Sequence, residues 1–377
     1  MRVLFASWAG GGHFAPLAPI GWALRAAGHE VFVAGQPSGA AAIVQSGLPA
    51  LPVGPDVDMF EVLRTRRAGS HERGYPGMLA TAEAIADGLA DDLVAFGRAW
   101  RPDLVVYEPA SLVGPLLARV LGIPAVRQLW TCDFTAPVAG FPATVTGPLP
   151  ARFGLAAFDT AGDLTLDPCP PALQVVDDLR RQPIRYIPYN GPAVVPGWLR
   201  EPPRGRRICV CWGTSLHAMD PGLMAHVPGL VRALGSLAVE IVVAVLDAHR
   251  ASFTNLPANV RAIGPVPLHL LLPTCDAIVH QGGGGTLMTA AACGVPQVVI
   301  PSISDQIFNA RYVAASGAGI HVPGGASADA ADVADRVVEV LTEPAYRVAA
   351  AGLAEQMRAR PTPAEVVTVL RTLASSR

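Results

Sequence analysis

Four consecutive glycines, Gly282 to Gly285, constrain this chain more than any other feature of its sequence. They follow an apolar strand, Ala277 to Val279, and precede a run from Thr286 to Cys293 that favours a helix. Glycine lets backbone N–H groups approach an anion closely, and the start of a helix presents N–H donors with a partial positive charge. This order of strand, glycine turn and helix predicts a phosphate-binding turn at the carboxyl edge of a parallel sheet.

The segment after the glycines continues the same architecture. Gly294-Val295-Pro296 ends the helix, and Gln297 to Ile300 is typical of a buried strand. Asp305 and Gln306 then stand at the start of another helix. An ordinary β–α unit with a flexible turn is the alternative, but four glycines at such a junction favour a nucleotide site.

The amino-terminal part of the chain has a similar order of elements. The pattern predicts a strand at Arg2 to Ser7, a glycine turn at Ala9 to Gly12, a helix at Pro16 to Ala27 and a strand at Val31 to Ala34. Gly10 to Ala15 also fits the dinucleotide pattern G-x-G-x-x-A, so an NAD-dependent dehydrogenase is one alternative. An NAD site usually has an acid at the end of the second strand, where this chain has Ala34-Gly35-Gln36.

Length and composition bound the class of protein. The 377 residues suffice for two domains, and 51% hydrophobic with 15% charged residues indicates large buried sheets. A formal charge of −2 argues against nucleic acid as a partner. No apolar run reaches the ~18 residues that a membrane helix needs, and Met1 to Ala6 looks like a strand rather than a signal peptide. Six cysteines without a C-x-x-C pattern are typical of free thiols, so we expect a cytoplasmic protein without membrane insertion.

The chain divides by pattern into two α/β domains. Asp167 to Pro203 is rich in proline and predicts a linker. Ile208 to Trp212 then restarts the pattern as a strand that runs into Gly213-Thr214-Ser215. We expect domains at residues 1–195 and 196–360, with a last helix in 361–377.

These motifs resemble the donor-site signature of nucleotide-sugar-dependent glycosyltransferases of the GT-B superfamily. The likeness is strongest to actinobacterial enzymes that attach deoxysugars to antibiotics and other natural products. The matching motifs are the turn from His280 to Thr286, the Gly-Val-Pro-Gln corner (Gly294 to Gln297) and the Asp305-Gln306 pair. The resemblance implies two facing Rossmann-like domains with parallel sheets and a cleft between them. The first would bind the acceptor, the second the nucleotide sugar, and the last helix would pack back on the first domain.

The resemblance also implies a reaction. It would be the inverting transfer of a hexose, above all a deoxysugar, from a dTDP-type donor to a small hydrophobic aglycone, without a metal or other cofactor. Asp56-Val57-Asp58 is the D-x-D metal motif of the other main glycosyltransferase fold, and we interpret it as a solvated loop. A nucleotide-sugar epimerase of the same fold is a second alternative. The sequence leaves open UDP as donor, the atom that is glycosylated and a homodimer.

His13 is the candidate general base. Gly12 to Leu17 matches the family turn Gly-His-x-x-Pro-Leu that holds the acceptor-activating base, and a neutral imidazole can accept a proton. A surface loop histidine is the alternative. Glu108 matches a strand end where the family usually has aspartate, and Asp133, at the end of the next strand, could orient His13 or act alone as base. Either acid could instead cap a helix or turn.

The resemblance places the donor contacts in the second domain. The glycines would hold the diphosphate through backbone amides, with hydroxyls from Thr286 and Ser215. The family commonly has a histidine directly before the double glycine, where this chain has Gln281, with His280 one position earlier. Pro265 stands where many relatives have a tryptophan that stacks on the base, so backbone groups around Val266 and Leu268 would recognise the base. The expected donor set is Gly213, Thr214, Ser215, Val266, Leu268, His280, Gln281, Gly282, Gly283, Gly284, Gly285, Thr286, Asp305 and Gln306.

Two irregular segments complete the prediction. Residues 54 to 77 and 134 to 150 are expected to build the acceptor surface, because they lack a regular apolar period. A solvated loop is the alternative for the first segment.

Overall fold

Two parallel β-sheets, one in each half of the chain, carry the fold. The computed structural model describes residues 1–58, 61–62, 76–135, 140–174, 180–213 and 221–376. The predicted donor residues Thr214 and Ser215 lie outside these ranges, as do most of the predicted acceptor segment 54–77 and a part of 134–150.

The strands described in the first half are β1 (Arg2–Ala6), β2 (Glu30–Gly35), β3 (Ala50–Pro52), β4 (Leu104–Tyr107), β5 (Ala125–Gln128), β6 (Thr144–Thr146), β7 (Ala157–Asp159), β8 (Leu164–Asp167) and β9 (Arg181–Pro183). β6 and β7 pair as an antiparallel hairpin. The others form one parallel sheet in the order β3-β2-β1-β4-β5-β8-β9. The carboxyl ends of β1, β4 and β5 are therefore side by side at one edge.

The helices described in the first half are α1 (Gly11–Phe14), α2 (Ala18–Ala26), α3 (Ala40–Gln45), α4 (Pro76–Trp100), α5 (Val113–Leu121) and α6 (Pro148–Ala151). A 3-10 turn at Ala15–Leu17 joins α1 to α2. The helix predicted to begin at Pro16 thus begins at Gly11, and His13 lies inside its first turn rather than ahead of it.

The second half repeats the arrangement. Its strands are β10 (Arg207–Cys211), β11 (Glu240–Ala244), β12 (Val260–Gly264), β13 (Ala277–His280), β14 (Gln297–Val299) and β15 (Gly319–His321). They form a parallel sheet in the order β12-β11-β10-β13-β14-β15. The helices described here are α7 (Val227–Leu234), α8 (Leu268–Leu271), α9 (Gly284–Cys293), α10 (Ser304–Ala315), α11 (Ala330–Thr342), α12 (Pro344–Arg358) and α13 (Pro363–Ser375).

The second sheet is buried on both faces. Along β10, Ile208 and Val210 pack into one apolar cluster, while Cys209 and Cys211 pack into another. Alternate residues of a strand point to opposite faces, so the two clusters lie on the two sides of the sheet. A parallel sheet covered on both faces is the usual arrangement in α/β proteins.

The chain forms two compact units. One comprises residues 1–169, 174–191 and 360–377, and the other residues 170–173 and 192–359. The second unit begins at Pro192, where the sequence predicted 196, and it also takes Pro170–Leu173. The last helix, α13, belongs to the first unit, because it packs on α2 and buries Val366 and Leu370 in that core. In the described part of the chain, no helix has both the length and the apolar character to cross a membrane.

Candidate active site

The predicted base and one of its two candidate acids meet in the structure. His13 lies beyond the carboxyl end of β1, and Glu108 directly follows β4, the neighbouring strand. Nδ1 of His13 is 3.3 Å from Oε2 of Glu108. The Glu108 side chain is fully buried, and its Oε2 also accepts a hydrogen bond from the backbone N–H of Ala110 at 2.8 Å. The strand end therefore brings the carboxylate to the imidazole.

The two ring nitrogens of His13 have different surroundings. Nδ1 is buried, whereas 18% of the side chain is accessible to solvent. The Glu108 contact has the distance of an ion pair but not the alignment of a hydrogen bond, and within the described structure Nδ1 of His13 and Oε1 of Glu108 make none. Nε2 is the nitrogen left to accept a proton from a substrate.

Two tryptophans that the sequence analysis did not single out enclose the His13 ring. Trp8 follows β1 and stacks on the imidazole, with ring centroids 4.8 Å apart and an angle of 23° between the planes. Trp130 follows β5 and meets the ring edge-on at 4.5 Å and 75°. Their position just after strands of the same sheet edge was the signal that could have identified them.

The structure corrects the predicted role of Asp133, the second candidate acid. Its Oδ2 accepts a hydrogen bond from Nη2 of Arg127 at 2.6 Å, and its Oδ1 accepts one from the Thr135 hydroxyl at 2.6 Å. Both side chains of the ion pair are almost completely buried. Because the Arg127 guanidinium and Thr135 use both carboxylate oxygens, Asp133 is a structural anion in the interior and not the partner of His13.

The four glycines form the junction between β13 and α9. Gly283 is the N-cap of α9, and the helix begins at Gly284 rather than at Thr286 as predicted. Gly284, Gly285 and Thr286 therefore form the first turn, whose N–H groups have no acceptor within their own helix and are suited to bind an anion. Gly282 has φ of +93°, a conformation that side chains rarely adopt.

Asn309 supports the glycine turn and was missed from sequence. It lies on α10, is buried, and donates from Nδ2 to the carbonyl oxygen of Gly282 at 2.9 Å. Its position, four residues after Asp305 on the same helix face, was an available signal. The amide therefore fixes the conformation of the turn that leads into α9.

The predicted donor contact of His280 is also corrected, because its side chain makes hydrogen bonds inside the protein. It is fully buried at the end of β13. Nδ1 accepts a hydrogen bond from the N–H of Gly282 at 3.0 Å, so Nε2 carries the proton and donates to Oε1 of Gln297 at 2.9 Å. Burial lowers the pKa of His280 to about 4, and the ring is neutral at pH 7. Neither ring nitrogen is left for a phosphate.

Gln281 links two loops at the carboxyl edge of the sheet. Its buried side-chain amide is oriented so that the oxygen accepts from the N–H of Gly213 at 3.0 Å and the nitrogen donates to the carbonyl of Cys211 at 3.1 Å. Gly213 allows this close approach, because a Cβ there would lie 2.7 Å from the terminal amide of Gln281. Gln281 is therefore first of all a bridge between the ends of β10 and β13.

Thr286 also connects the glycine turn to β10. Its side chain lies beside the Cys211 thiol, which is buried, and burial raises the pKa of Cys211 to about 12. The thiol is thus protonated and unreactive at pH 7. The predicted Gly213 and Thr286 come together here with Gln281, and Thr214 and Ser215 follow outside the described residues.

Asp305 and Gln306 have different surroundings in the structure. α10 begins at Ser304, so Asp305 lies half-buried within the first turn and is not its N-cap. Gln306 is buried, and its Oε1 accepts from the backbone N–H of Ser302 at 3.0 Å. Gln306 caps the helix through its side-chain oxygen, and the roles of Asp305 and of the Gln306 amide nitrogen at the donor stay predictions.

The predicted base-recognition segment follows β12. The Leu268 side chain is buried in the cluster that includes Cys209 and Cys211, and Val266 packs against the same cluster. Pro265 is exposed. The apolar side chains of this segment face the core, so its backbone groups are what it offers to a ligand.

The two aspartates of the D-x-D motif accept hydrogen bonds from nearby backbone N–H groups. Asp56 accepts a hydrogen bond from the N–H of Ser38 at 2.9 Å, and Asp58 accepts one from the N–H of Glu61 at 3.1 Å. Among the described residues, no group of three or more His, Cys, Asp or Glu side chains has the arrangement of a metal site.

Comparison with known proteins gives a consistent result along the chain. The family model "Erythromycin biosynthesis protein CIII-like, N-terminal domain" matches residues 22–213, and the corresponding C-terminal model matches residues 229–373. A similar protein is 3-alpha-mycarosylerythronolide B desosaminyl transferase of Saccharopolyspora erythraea, 36% identical over 100% of this chain and 99% of the relative. Another is aklavinone 7-beta-L-rhodosaminyltransferase of Streptomyces galilaeus, 38% identical over 99% of this chain and 96% of the relative.

A solved structure resembles the whole chain. It is the spinosyn rhamnosyltransferase SpnG complexed with thymidine diphosphate, with a TM-score of 0.85, 34% identity, and coverage of 98% of this chain and 100% of that one.

Proposed function

Since the chain belongs to the erythromycin biosynthesis protein CIII-like family of glycosyltransferases, we propose that it transfers a deoxysugar from a dTDP-type nucleotide sugar to a small natural-product aglycone, with inversion at the anomeric carbon. The predicted fold class, α/β of the GT-B type with parallel sheets in two domains, is confirmed. The observation that carries the proposed chemistry is the His13–Glu108 contact at the sheet edge of the first unit.

Family membership sets aside the two alternatives. The named relatives transfer sugars, which is neither epimerisation nor hydride transfer. The end of β2 agrees, because an NAD site would need an acid there and the chain has Gln36, whose amide donates to the carbonyl of Val57 at 2.9 Å.

His13 would act as the general base. As the acceptor hydroxyl attacks the anomeric carbon, its proton passes to Nε2, while Nδ1 keeps its proton toward Glu108. The carbon–oxygen bond to the diphosphate breaks in the same step, and the electron pair leaves with the diphosphate. A single displacement from the opposite side of the sugar ring inverts the anomeric centre.

The second unit would hold the departing diphosphate. The N–H groups of the first turn of α9 supply donors and the partial positive charge of a helix start, which favours the growing negative charge. Thr286 belongs to the same turn, and Asp305 stands at the start of α10 as the proposed contact to a sugar hydroxyl. We therefore assign the acceptor to the first unit and the donor to the second.

The donor and acceptor classes follow from the relatives. One similar structure is described as a complex with thymidine diphosphate, which supports a dTDP-type donor. Related transferases are named for desosamine on a mycarosylerythronolide and for rhodosamine on aklavinone, which supports a deoxysugar and a hydroxylated polyketide. No divalent metal is required in this proposal, because backbone amides and the helix start offset the diphosphate charge.

A substrate screen tests the proposal. Purified protein is incubated with dTDP-deoxysugars and with macrolide and anthracycline aglycones, and products are identified by mass and by the anomeric coupling constant. We expect a glycoside of inverted configuration that forms only with acceptor present and also forms in EDTA. The variant His13→Ala should lower kcat by ~10²–10⁴-fold. Unchanged turnover of His13→Ala would overturn the base assignment, and restoration of EDTA-treated enzyme by manganese would overturn metal independence.

A further inference from the structure

The His13 ring is held in place by aromatic contacts rather than by a hydrogen bond. Its Nδ1 lies 3.3 Å from the Glu108 carboxylate but makes no hydrogen bond among the described residues. One face of the ring lies against the Trp8 indole at a centroid distance of 4.8 Å, and Trp130 closes one edge at 4.5 Å. Rotation of the imidazole plane away from Glu108 would disrupt the stack with Trp8.

We propose that Trp8 is a positioning residue for His13, an inference that rests on the proposed role of His13 as general base. The indole face keeps the imidazole in the rotamer that turns Nδ1 to Glu108 and leaves Nε2 to the acceptor. The same face lies against the positive ring that forms when Nε2 takes the proton, and an aromatic face attracts a cation. Glu108 is the ionisable group recorded in contact with His13 within the described structure.

The buried indole nitrogen of Trp8 supports a role beyond packing. Trp8 is 5% exposed, and its Nε1–H is buried without a hydrogen-bond acceptor in the described structure. A buried donor without an acceptor costs stability, so an aliphatic side chain would fill this space at a lower cost. The face of the indole is what distinguishes tryptophan from such a side chain, and that face is against His13.

Three variants test the proposal by kinetics, with the donor and acceptor pair from the screen. Trp8→Leu removes the aromatic face and should lower kcat by about 5- to 30-fold, with KM within about two-fold. Trp8→Phe keeps a face and should recover most of the loss. Trp22→Leu is the matched control, because Trp22 lies in the same unit, stacks edge-on with Tyr189 at 5.1 Å and donates to Ser46 at 2.9 Å. It should lower thermal stability and leave kcat near the parental value.

A double-mutant cycle separates positioning from structural damage. In a His13→Ala background there is no ring to hold, so adding Trp8→Leu should change kcat by less than about two-fold. A loss as large as in the parent would overturn the proposal and leave the base assignment intact. Parental activity of His13→Ala alone would overturn both.

Nitrogen-15 NMR of the His13 ring gives a readout that needs no substrate. The signals are assigned by their loss in His13→Gln. In the parent we expect the proton on Nδ1, facing Glu108, and in Trp8→Leu a mixture of the two tautomers. An unchanged tautomer in Trp8→Leu would overturn the proposal even if turnover fell.

Discussion

Nδ1 of His13 lies 3.3 Å from Oε2 of Glu108, and the same oxygen accepts a hydrogen bond from the backbone N–H of Ala110. A buried carboxylate in this place favours the tautomer with its proton on Nδ1. The nitrogen that remains without a proton is Nε2, so Glu108 determines which side of the ring can act as a base. The longer side chain in place of the family's usual aspartate still reaches the histidine.

Glu108→Gln should therefore impair catalysis without removing the contact. With the amide oxygen in the place of Oε2, glutamine would keep the bond from the Ala110 N–H and the contact with Nδ1, but it would lack the negative charge that stabilises the protonated ring. We expect kcat to fall by ~10²–10⁴-fold. Glu108→Asp, which keeps the charge, is the control and should lose less. Steady-state kinetics of both variants check this, and equal losses would contradict a role for the carboxylate charge.

Asp133→Ala should affect stability rather than chemistry. The substitution leaves the Arg127 guanidinium buried without its anion, which typically costs about 3–5 kcal/mol of unfolding free energy. Urea unfolding followed by tryptophan fluorescence measures the loss, and turnover is compared per folded molecule at low temperature. If Asp133→Ala kept the parental stability but lost turnover, Asp133 would have a catalytic role after all.

The stability of the protein should depend on pH through His280. The pKa of His280 is about 4 in the folded protein against an ordinary value of 6.5, so the unfolded chain binds more protons between these values. The contribution is complete above pH 6.5 and is lost as pH falls toward 4, by about 3 kcal/mol in all. Urea midpoints of the parent should therefore fall more steeply from pH 7 to pH 5 than those of His280→Gln. Parallel curves would contradict this account.

Gln281 and Gly213 should be energetically coupled. Gln281→Ala leaves the Cys211 carbonyl and the Gly213 N–H without their partner and should destabilise the protein by about 1–3 kcal/mol. Gly213→Ala places a Cβ 2.7 Å from the Gln281 amide and should also destabilise. Once that amide is gone the clash is relieved. Thermal unfolding should therefore show that the double variant loses less stability than the sum of the two single losses.

Gln281→His distinguishes the structural role from a phosphate contact. From the sequence alone, histidine at this position should be tolerated or improve turnover. The structure predicts a loss of stability, because the donor and acceptor nitrogens of an imidazole point in diverging directions and do not lie where the amide oxygen meets Gly213 and the amide nitrogen meets Cys211. Higher turnover with unchanged stability would favour the phosphate contact.

The sequence by itself determined the order and type of the main elements. Strand, glycine turn, helix and strand are local patterns of period and of glycine placement, and they sufficed for two parallel α/β sheets. The GT-B class came from the resemblance of the motifs to a known superfamily. The same reasoning put His13 and Glu108 at the ends of strands. Because β1 and β4 are neighbours in a parallel sheet, those ends meet at one edge, and the contact followed from topology.

Only the tertiary structure decided how the polar side chains around the glycines and behind His13 are used. His280 binds Gln297, 17 positions away, and Gln281 binds Gly213, which follows another strand. Asp133 pairs with Arg127, a cation that lies inside the sheet. A buried polar group must satisfy its hydrogen bonds wherever the packed chain offers a partner, and that partner is set by the distance between elements. Backbone conformation is a local property that residue types report, whereas the choice of a side-chain partner exists only after the strands have come together.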